Sequence, residues 1–399
     1  MISRRFSSSI PQSPTARNTI HPHPATIYIL SHVSLRRGGI EIPTHTIQQS
    51  RTEALVRRTL DEVWERKRAE NGKDDRLALA AVEKINALFL WAGTPLELGF
   101  RERHPEVFKE SVGVLAGAVG DPAKYDRVRA LLSDERSKEI FDWLVGYRVA
   151  YALIGNGALD LCPPPIARDE FWRLQRETER YRSGRYYHYE GSIVHSDAYV
   201  FNTIWLQEQY RVEGVCEPQP GDVVVDAGAC WGETAVWFSR FIGSTGQVHA
   251  FEPAEANRQV IERVVEKNDL SSSVVTVPLG LWDKEMTLTF SGSGRMFRQS
   301  AGGGAEVPVT TLDRYVEETE LARVDFIKMD IEGAELPALA GAEKSIRQFR
   351  PDLAISVYHR ADDLTGVPMY LASLVPEYRM YLRHYTPGPD ESVLYATVR

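Results

Sequence analysis

Two glycines four residues apart behind an aspartate, in Asp226-Ala227-Gly228-Ala229-Cys230-Trp231-Gly232-Glu233, are the first residues here whose types and spacing could hold a ligand. They follow the apolar run 222–225, read as a strand, and glycines in such a turn let backbone approach a ligand closely. The next apolar run, 247–251, ends at Phe251-Glu252-Pro253. A carboxylate there can accept both hydroxyl hydrogens of a ribose, while Pro253 holds Glu252 extended and opens the next helix. A nucleoside fits this pair of loops. The turn lacks the Gly-x-Gly-x-x-Gly of dinucleotide sites, and Glu233 stands where a pyrophosphate needs positive potential. An acid-lined turn better suits a ligand carrying an ammonium and a sulfonium, as S-adenosylmethionine does. On this reading Asp226, with Gly228, Ala229, Gly232 and Glu233, serves the amino acid end through the loop or a water. Glu252 and Pro253 serve the ribose, and Leu281 and Trp282, after the third strand, the adenine. The plainer alternative is that Gly228 and Gly232 only permit a tight strand-to-helix turn. Cys230, Trp231 and Trp237 read as packing residues.

Transfer of a methyl group from a sulfonium to a hydroxyl requires alignment and removal of the hydroxyl proton. The candidates at later strand ends are Asp330, Glu332 and Glu335, and His359 one strand further on. An imidazole with an ordinary pKa of about 6.5 is a natural base at neutral pH. Asp330 would orient it, as a carboxylate does in a catalytic triad. The competing reading of His359 is a histidine satisfied by backbone at a strand terminus. Lys328 inside a central strand is costly unless paired, so an ion pair with Asp330 or Glu335 is expected ahead of contact with a substrate hydroxyl. Asp330, Glu332, His359 and His384 also offer ligand types for Mg²⁺ or Zn²⁺. Nothing in their spacing defines a coordination polyhedron, so a divalent metal is an alternative that is not favoured and no metal site is assigned.

The elements that must position these groups read as an α/β domain. From Gly221 onward strands and helices alternate, the signature of a parallel sheet covered on both faces. Strands are expected at 222–225, 247–251, 273–278, 324–329 and 353–357. Helices are expected at 231–242 and from Pro253 to a cap at Asn268, with Val260, Ile261, Val264 and Val265 on its apolar side. An antiparallel pair, 287–290 and 307–310, is inserted around a Gly-rich loop, and 378–384 with 392–398 form a closing hairpin. Ahead of this domain, 51–160 read as a small helical domain. Val56, Leu60, Val63 and Trp64 make one apolar face ended by Asn71-Gly72, and Val82, Ile85 and Phe89 make a second. Ile140, Phe141, Leu144 and Val145 belong to a third helix capped by Ser133 or Asp134. Residues 161–215, opened by Cys162-Pro163-Pro164-Pro165 and crowded with tyrosines, form a connector that is either a lid over a pocket or the buried joint between two domains. Residues 1–50 hold five arginines and no acidic residue in their first 40, and read as a solvated tail ahead of a leader peptide.

The whole chain has 399 residues, with Lys plus Arg 47 against Asp plus Glu 55 and a formal net charge of −8. That balance gives no basic footprint for nucleic acid. No apolar run approaches the roughly 20 residues needed to cross a bilayer. Three widely spaced cysteines fit a reducing compartment, so a cytoplasmic protein is expected. Self-association into a homo-oligomer is left open.

Several blocks in order resemble the FkbM family of S-adenosylmethionine-dependent methyltransferases: Val-Asp-Ala-Gly-Ala at 225–229 with Gly232, Phe251-Glu252-Pro253, Val309-Thr310-Thr311-Leu312-Asp313, the run 325–335 around Lys328-Met329-Asp330, Ile355-Ser356-Val357-Tyr358-His359, and Leu382-Arg383-His384-Tyr385. The likeness covers about residues 190–399, with a weaker one at 132–148. It implies a Rossmann-like class I methyltransferase sheet closed by an antiparallel hairpin and, in most members, O-methylation of a sugar or secondary metabolite. The acceptor would then be a small molecule or a carbohydrate. Cys230-Trp231 departs from the smaller or polar residues that many relatives carry in this turn. The competing functions are an NAD(P)-dependent oxidoreductase or epimerase on a similar sheet, and a non-catalytic scaffold whose helical half binds a partner.

Overall fold

The computed structural model describes residues 34–36, 39–41, 50–71, 105–292, 294, 298–299 and 303–399. Seven strands form the central sheet: β1 (Val223–Ala227), β2 (Gln247–Phe251), β3 (Val274–Val277), β4 (Phe326–Met329), β5 (Asp352–Ser356), β6 (Arg379–His384) and β7 (Ser392–Thr397). Their order is β3-β2-β1-β4-β5-β7-β6, and β7 alone runs antiparallel to its neighbours. This is the class I methyltransferase arrangement expected from the resemblance. Residues of β4 and β5 are buried on both faces, which is why these segments read as continuous apolar runs rather than as alternating ones. The chain order reverses between β1 and β4, so the crevice for a ligand opens above their carboxyl ends.

Among the described residues the front of the chain holds the helices α1 (Arg51–Asn71), α2 (Pro105–Gly120), α3 (Pro122–Leu131) and α4 (Glu135–Ile154). Asp134 caps α4, its side chain accepting the Ser137 N–H at 2.7 Å. The second apolar face expected at Val82, Ile85 and Phe89 lies outside the described residues, as does most of the 1–50 segment. Sequence periodicity overlooked α2 and α3. The small residues of α2, Gly113, Ala116, Gly117 and Ala118, blur its apolar stripe.

This helical segment shares one core with the sheet. Val56, Leu115, Phe141 and Leu144 join the same buried cluster as Ile327, Leu353 and Leu382. The helices also close the sheet edge. Ser133 donates its N–H to the Met380 carbonyl and accepts the Met380 N–H on its hydroxyl oxygen, and the hydroxyl of Ser137 accepts the Leu382 N–H at 2.8 Å, so α4 covers β6.

The connector holds a helix at Arg168–Glu177, a small antiparallel sheet and a helical turn at Ala198–Leu206. Its aromatics serve both expected roles. Tyr187 stacks on Phe201 with ring centres 4.3 Å apart, Phe201 on Trp205, and this stack packs with Trp237 and Ile261 of the sheet domain. Tyr199, Val200 and Thr203 instead face the crevice. The helix α5 (Glu233–Ile242) and the helix α6 (Glu255–Lys267) cover the sheet after β1 and β2. The inserted antiparallel strands Met286–Ser291 and Ala305–Thr310 pair as expected. Among the described residues no helix is long and apolar enough to cross a membrane.

Where α2 meets the loop after β5 there is no space for a side chain: a Cβ on Gly113 would stand 2.4 Å from the Cβ of Ala361. Gly113→Val is therefore expected to destabilise the protein by about 1–3 kcal/mol, as overpacked core sites do, measured by urea unfolding.

Candidate functional site at the carboxyl ends of the strands

A cavity of about 690 Å³ opens above β1, β2, β4 and β5 and is roofed by Val107 and Glu110 of α2 and Arg148 of α4. Its size falls within the range of small-molecule sites. The turn after β1 forms one wall. Gly228 has φ +80°, and a Cβ there would lie 2.0 Å from the Asp330 carbonyl oxygen, so only glycine fits. The N–H groups of Gly228 and Ala229 donate to the Phe251 carbonyl, tying this turn to the end of β2. Three non-glycine residues with positive φ line the cavity, Cys230 (+48°), Glu332 (+56°) and Glu391 (+64°), and such strain persists only where surroundings impose it.

Glu252 lines the cavity at the end of β2. Its oxygens accept the N–H groups of Cys230 at 3.0 Å and Ala254 at 2.8 Å, which hold the carboxyl at the crevice. Burial pushes it up to about 7, against those hydrogen bonds. Glu233 opens α5 and accepts the Trp231 N–H at 2.9 Å, with burial pushing it up to about 8. Both carboxyls line the cavity, and among the described residues neither has an ion-pair partner of its own. Pro253, Gly228, Ala229 and Leu281 also line the cavity; Gly232, at φ +84°, caps α5 beneath it.

Two expected contacts fall elsewhere. Asp226 is fully buried and does not line the cavity: it pairs with Lys328 at 3.1 Å and accepts the Thr234 hydroxyl at 2.6 Å. It thus fixes the strand ends rather than reaching a ligand. Trp282 packs on Leu288, Phe290, Val307 and Val309 of the inserted sheet. Successive side chains of a strand point to opposite faces, so Leu281 at the crevice sends Trp282 away from it. Lys328 does form the ion pair that its burial demands, with Asp226 in place of Asp330 or Glu335. Its ammonium also donates to the carbonyls of Ala227 and Gly228 at 3.2 and 2.8 Å.

The far wall is an ion cluster. His359 Nδ1 lies 2.9 Å from Glu335, and Nε2 lies 3.4 Å from Asp330 and 4.0 Å from Glu332. Burial alone would depress this histidine, but the carboxylates of Glu335, Asp330 and Glu332 outweigh it and hold it well above the usual value. These surroundings favour the charged ring, the form that cannot serve as the expected base. Asp330 is held below the usual carboxylate value against the effect of burial, by His359, Lys328 and the Tyr210 hydroxyl donating at 2.7 Å. Asp330, Glu335 and His359 bring ligand-type atoms within 4.8 Å of one another. The same three side chains pair with one another as an ion cluster, with His359 between the two carboxylates. His384 does not join it: the ring packs on Trp143 with centres 4.7 Å apart, bonds Ser392 through Nδ1, and is pushed down to about 3 by burial.

Sequence reasoning overlooked Arg148, Gln209, Tyr210, Tyr358 and Glu391, all of which line the cavity. Arg148 left one readable trace, a charge within the apolar run 144–154. Its guanidinium donates to the carbonyls of Tyr358 and Pro389, both at 3.1 Å, and clasps the two loops that carry the far wall.

Residues 222–386 match the family model of the methyltransferase FkbM domain. The sheet half of this chain is thus similar to FkbM methyltransferase domains. Among curated proteins the chain is similar to the AMB antimetabolite synthetase AmbE of Pseudomonas aeruginosa, 24% identical over 220 residues, which are 44% of this chain and 10% of AmbE. Among solved structures it is similar to the methyltransferase FkbM from Methylobacillus flagellatus KT, with 21% identity and a TM-score of 0.49 over 70% of this chain and 60% of that one. The fibrillarin of Aeropyrum pernix, solved with natively bound S-adenosyl-L-methionine, is 15% identical with a TM-score of 0.34 over 55% of this chain and 84% of that one.

The buried acids of this cavity set a pH dependence. Glu252 and Glu233 rise on folding from an ordinary carboxyl value to about 7 and about 8, so the folded state holds their protons longer. The stability they contribute is complete below the unfolded value and is lost as pH rises through the folded values. Loss of the His359 proton acts in the same direction, while the contributions of His249 and His384, both lowered by burial, are complete above about pH 6.5. The melting temperature is therefore expected to fall between about pH 6.5 and 9, with a shallower slope in Glu233→Gln, followed by scanning fluorimetry. A flat or rising curve would contradict these assignments.

Proposed function

We propose that this protein is an S-adenosylmethionine-dependent methyltransferase acting on a hydroxyl of a small-molecule or carbohydrate acceptor. The observation that carries the reading is one cavity in which the glycine turn after β1 and the buried carboxyl of Glu252 face the ion cluster around Asp330. The residues fit the cofactor. Glu252, held in its protonation balance near neutral pH by burial, is placed to meet the two hydroxyl donors of a ribose, and Leu281 offers an apolar surface to a base. Glu233 supplies an acidic wall for the ammonium end, acting beside Gly228 and Ala229. When bound, S-adenosylmethionine supplies a methyl carbon that an acceptor oxygen attacks as the carbon–sulfur bond breaks.

The protein's own part is to orient the acceptor and take its proton. Asp330 is the group placed for this, a carboxylate kept ionised by His359 and Lys328 and aimed by the hydroxyls of Tyr210 and Tyr358. His359 holds Asp330 in place, and Glu335 in turn fixes the ring through Nδ1. Lys328 holds the floor of the cavity. A dinucleotide reading is disfavoured because the start of α5, where a pyrophosphate would sit, carries the buried carboxyl of Glu233.

Glu252→Ala is expected to weaken S-adenosylmethionine binding by about 1–3 kcal/mol in calorimetric titration, with the fold retained. Asp330→Asn is expected to lower turnover by about 10² to 10⁴ with cofactor affinity nearly unchanged. Turnover of the unaltered protein should show no acid limb near pH 6.5, because the proton acceptor is already ionised well below it. Stabilisation by NAD alone in scanning fluorimetry would overturn the reading, and binding of neither ligand would favour a scaffold.

A further inference from the structure

Toward α2 and α4 the cavity is rich in carboxyl groups. Five carboxyl residues line this part, Glu110, Asp330, Glu332, Asp390 and Glu391, against three cations, Arg148, Lys328 and His359. Those cations are already committed. Lys328 pairs with Asp226 and His359 with Glu335, two buried carboxylates outside the lining, the His359 ring also reaching Asp330 and Glu332 within it. Glu110 has Lys109 at 3.9 Å, and Arg148 donates to the carbonyls of Tyr358 and Pro389. Of the five carboxyls, Asp390 and Glu391 are thus the ones without an ion pair among the described residues. Four hydroxyl donors of the lining are spent as well: Tyr210 and Tyr358 on Asp330, Thr203 on the Val200 carbonyl and Thr234 on Asp226.

An independent observation points the same way. Gln209 is completely buried and lines the cavity. Its Nε2 donates to Glu391, while its Oε1 has no partner. A buried carbonyl oxygen without a donor costs free energy comparable to a lost hydrogen bond, and Gln209 stands in the cavity wall beside Glu391.

We propose that the acceptor of this enzyme carries a protonated amine near its reactive hydroxyl, as an amino sugar or aminocyclitol does, and that Glu391, Asp390 and the Gln209 carbonyl receive that ammonium. This rests on the methyltransferase reading above and narrows its substrate class. An ammonium offers three donors and no acceptor, the complement of this lining. A neutral polyol supplies donors too, but leaves the excess negative charge uncompensated in a site partly shielded from water. Glu391 feels that excess: burial, and then the nearby Asp330, push it up to about 8. Its backbone is held at φ +64°, so the hairpin tip between β6 and β7 presents this side chain at some conformational cost.

The test uses the full chain and labelled S-adenosylmethionine. Amino sugars and aminocyclitols are compared with the same compounds N-acetylated, a change that removes the charge and keeps the hydroxyls. Free amines are expected to be methylated on oxygen with kcat/KM at least about tenfold higher, mainly through KM. Glu391→Gln and, separately, Asp390→Asn should erase most of that preference, with S-adenosylhomocysteine affinity and melting temperature held. Equal or better transfer to the N-acetyl forms would overturn the proposal, as would transfer to neither set or a preference that survives both substitutions. Calorimetry with S-adenosylhomocysteine separates the two levels: binding with no amine preference removes only the substrate class, whereas no binding removes the methyltransferase reading as well.

Discussion

The ion pair between Lys328 and Asp226 sits where the two central parallel strands end, and the rest of the site is arranged around it. An ammonium buried beside an equally buried carboxylate is tolerable only with further partners, since removing two charges from water costs several kcal/mol per ion. The carbonyls of Ala227 and Gly228 complete the set. They belong to the turn that must approach a ligand, so the lysine that neutralises the floor also sets the path of the backbone above it. From that point the bonds run outward: the turn to the end of β2, Glu252 back to Cys230, and Asp330 to His359 and the two tyrosines.

Much of the sheet domain was legible in the sequence because its strands are buried on both faces and its helices begin and end at glycine or proline. Glu252 was legible for the same reason, standing between the last apolar residue of a strand and a proline. Asp226 and Lys328 were legible as types but not as partners. Both project from adjacent strands in matched register, Lys328 opposite Asp226, and register is a tertiary property that spacing along one chain does not carry. His359 was found by its position after β5. Its protonation state depends on three carboxylates that arrive from a turn 24 to 29 residues earlier in the chain, and the ordinary value for an imidazole could not foretell it.

The helical front was the least legible part. Its helices show weak periodicity because α4 is buried nearly all round, against the other helices on one side and the sheet on the other. A stripe is visible only when the opposite face meets water. The charged residues it gives to the cavity are Glu110, beside Lys109 in α2, and Arg148, the one charge in the apolar second half of α4. In an isolated helix Arg148 would look like a defect. Beneath them lie the loop after β5 and the hairpin tip, whose carbonyls and carboxyls need a positive cap and whose neighbours leave room for a second molecule.

The seam between α4 and β6 has a consequence for how the chain is made. The bonds that Ser133 and Ser137 form with Met380 and Leu382 join residues 247 and 245 positions apart. A ribosome adding residues from the amino end exposes the front helices long before β6 and β7 exist, and the apolar surface they will bury on the sheet has no partner during that interval. Contacts of such long range close late and slowly, because the loop between them must first be brought together. The interval before the last hairpin emerges is therefore the period in which the nascent chain exposes the most apolar surface and has the greatest need of a chaperone.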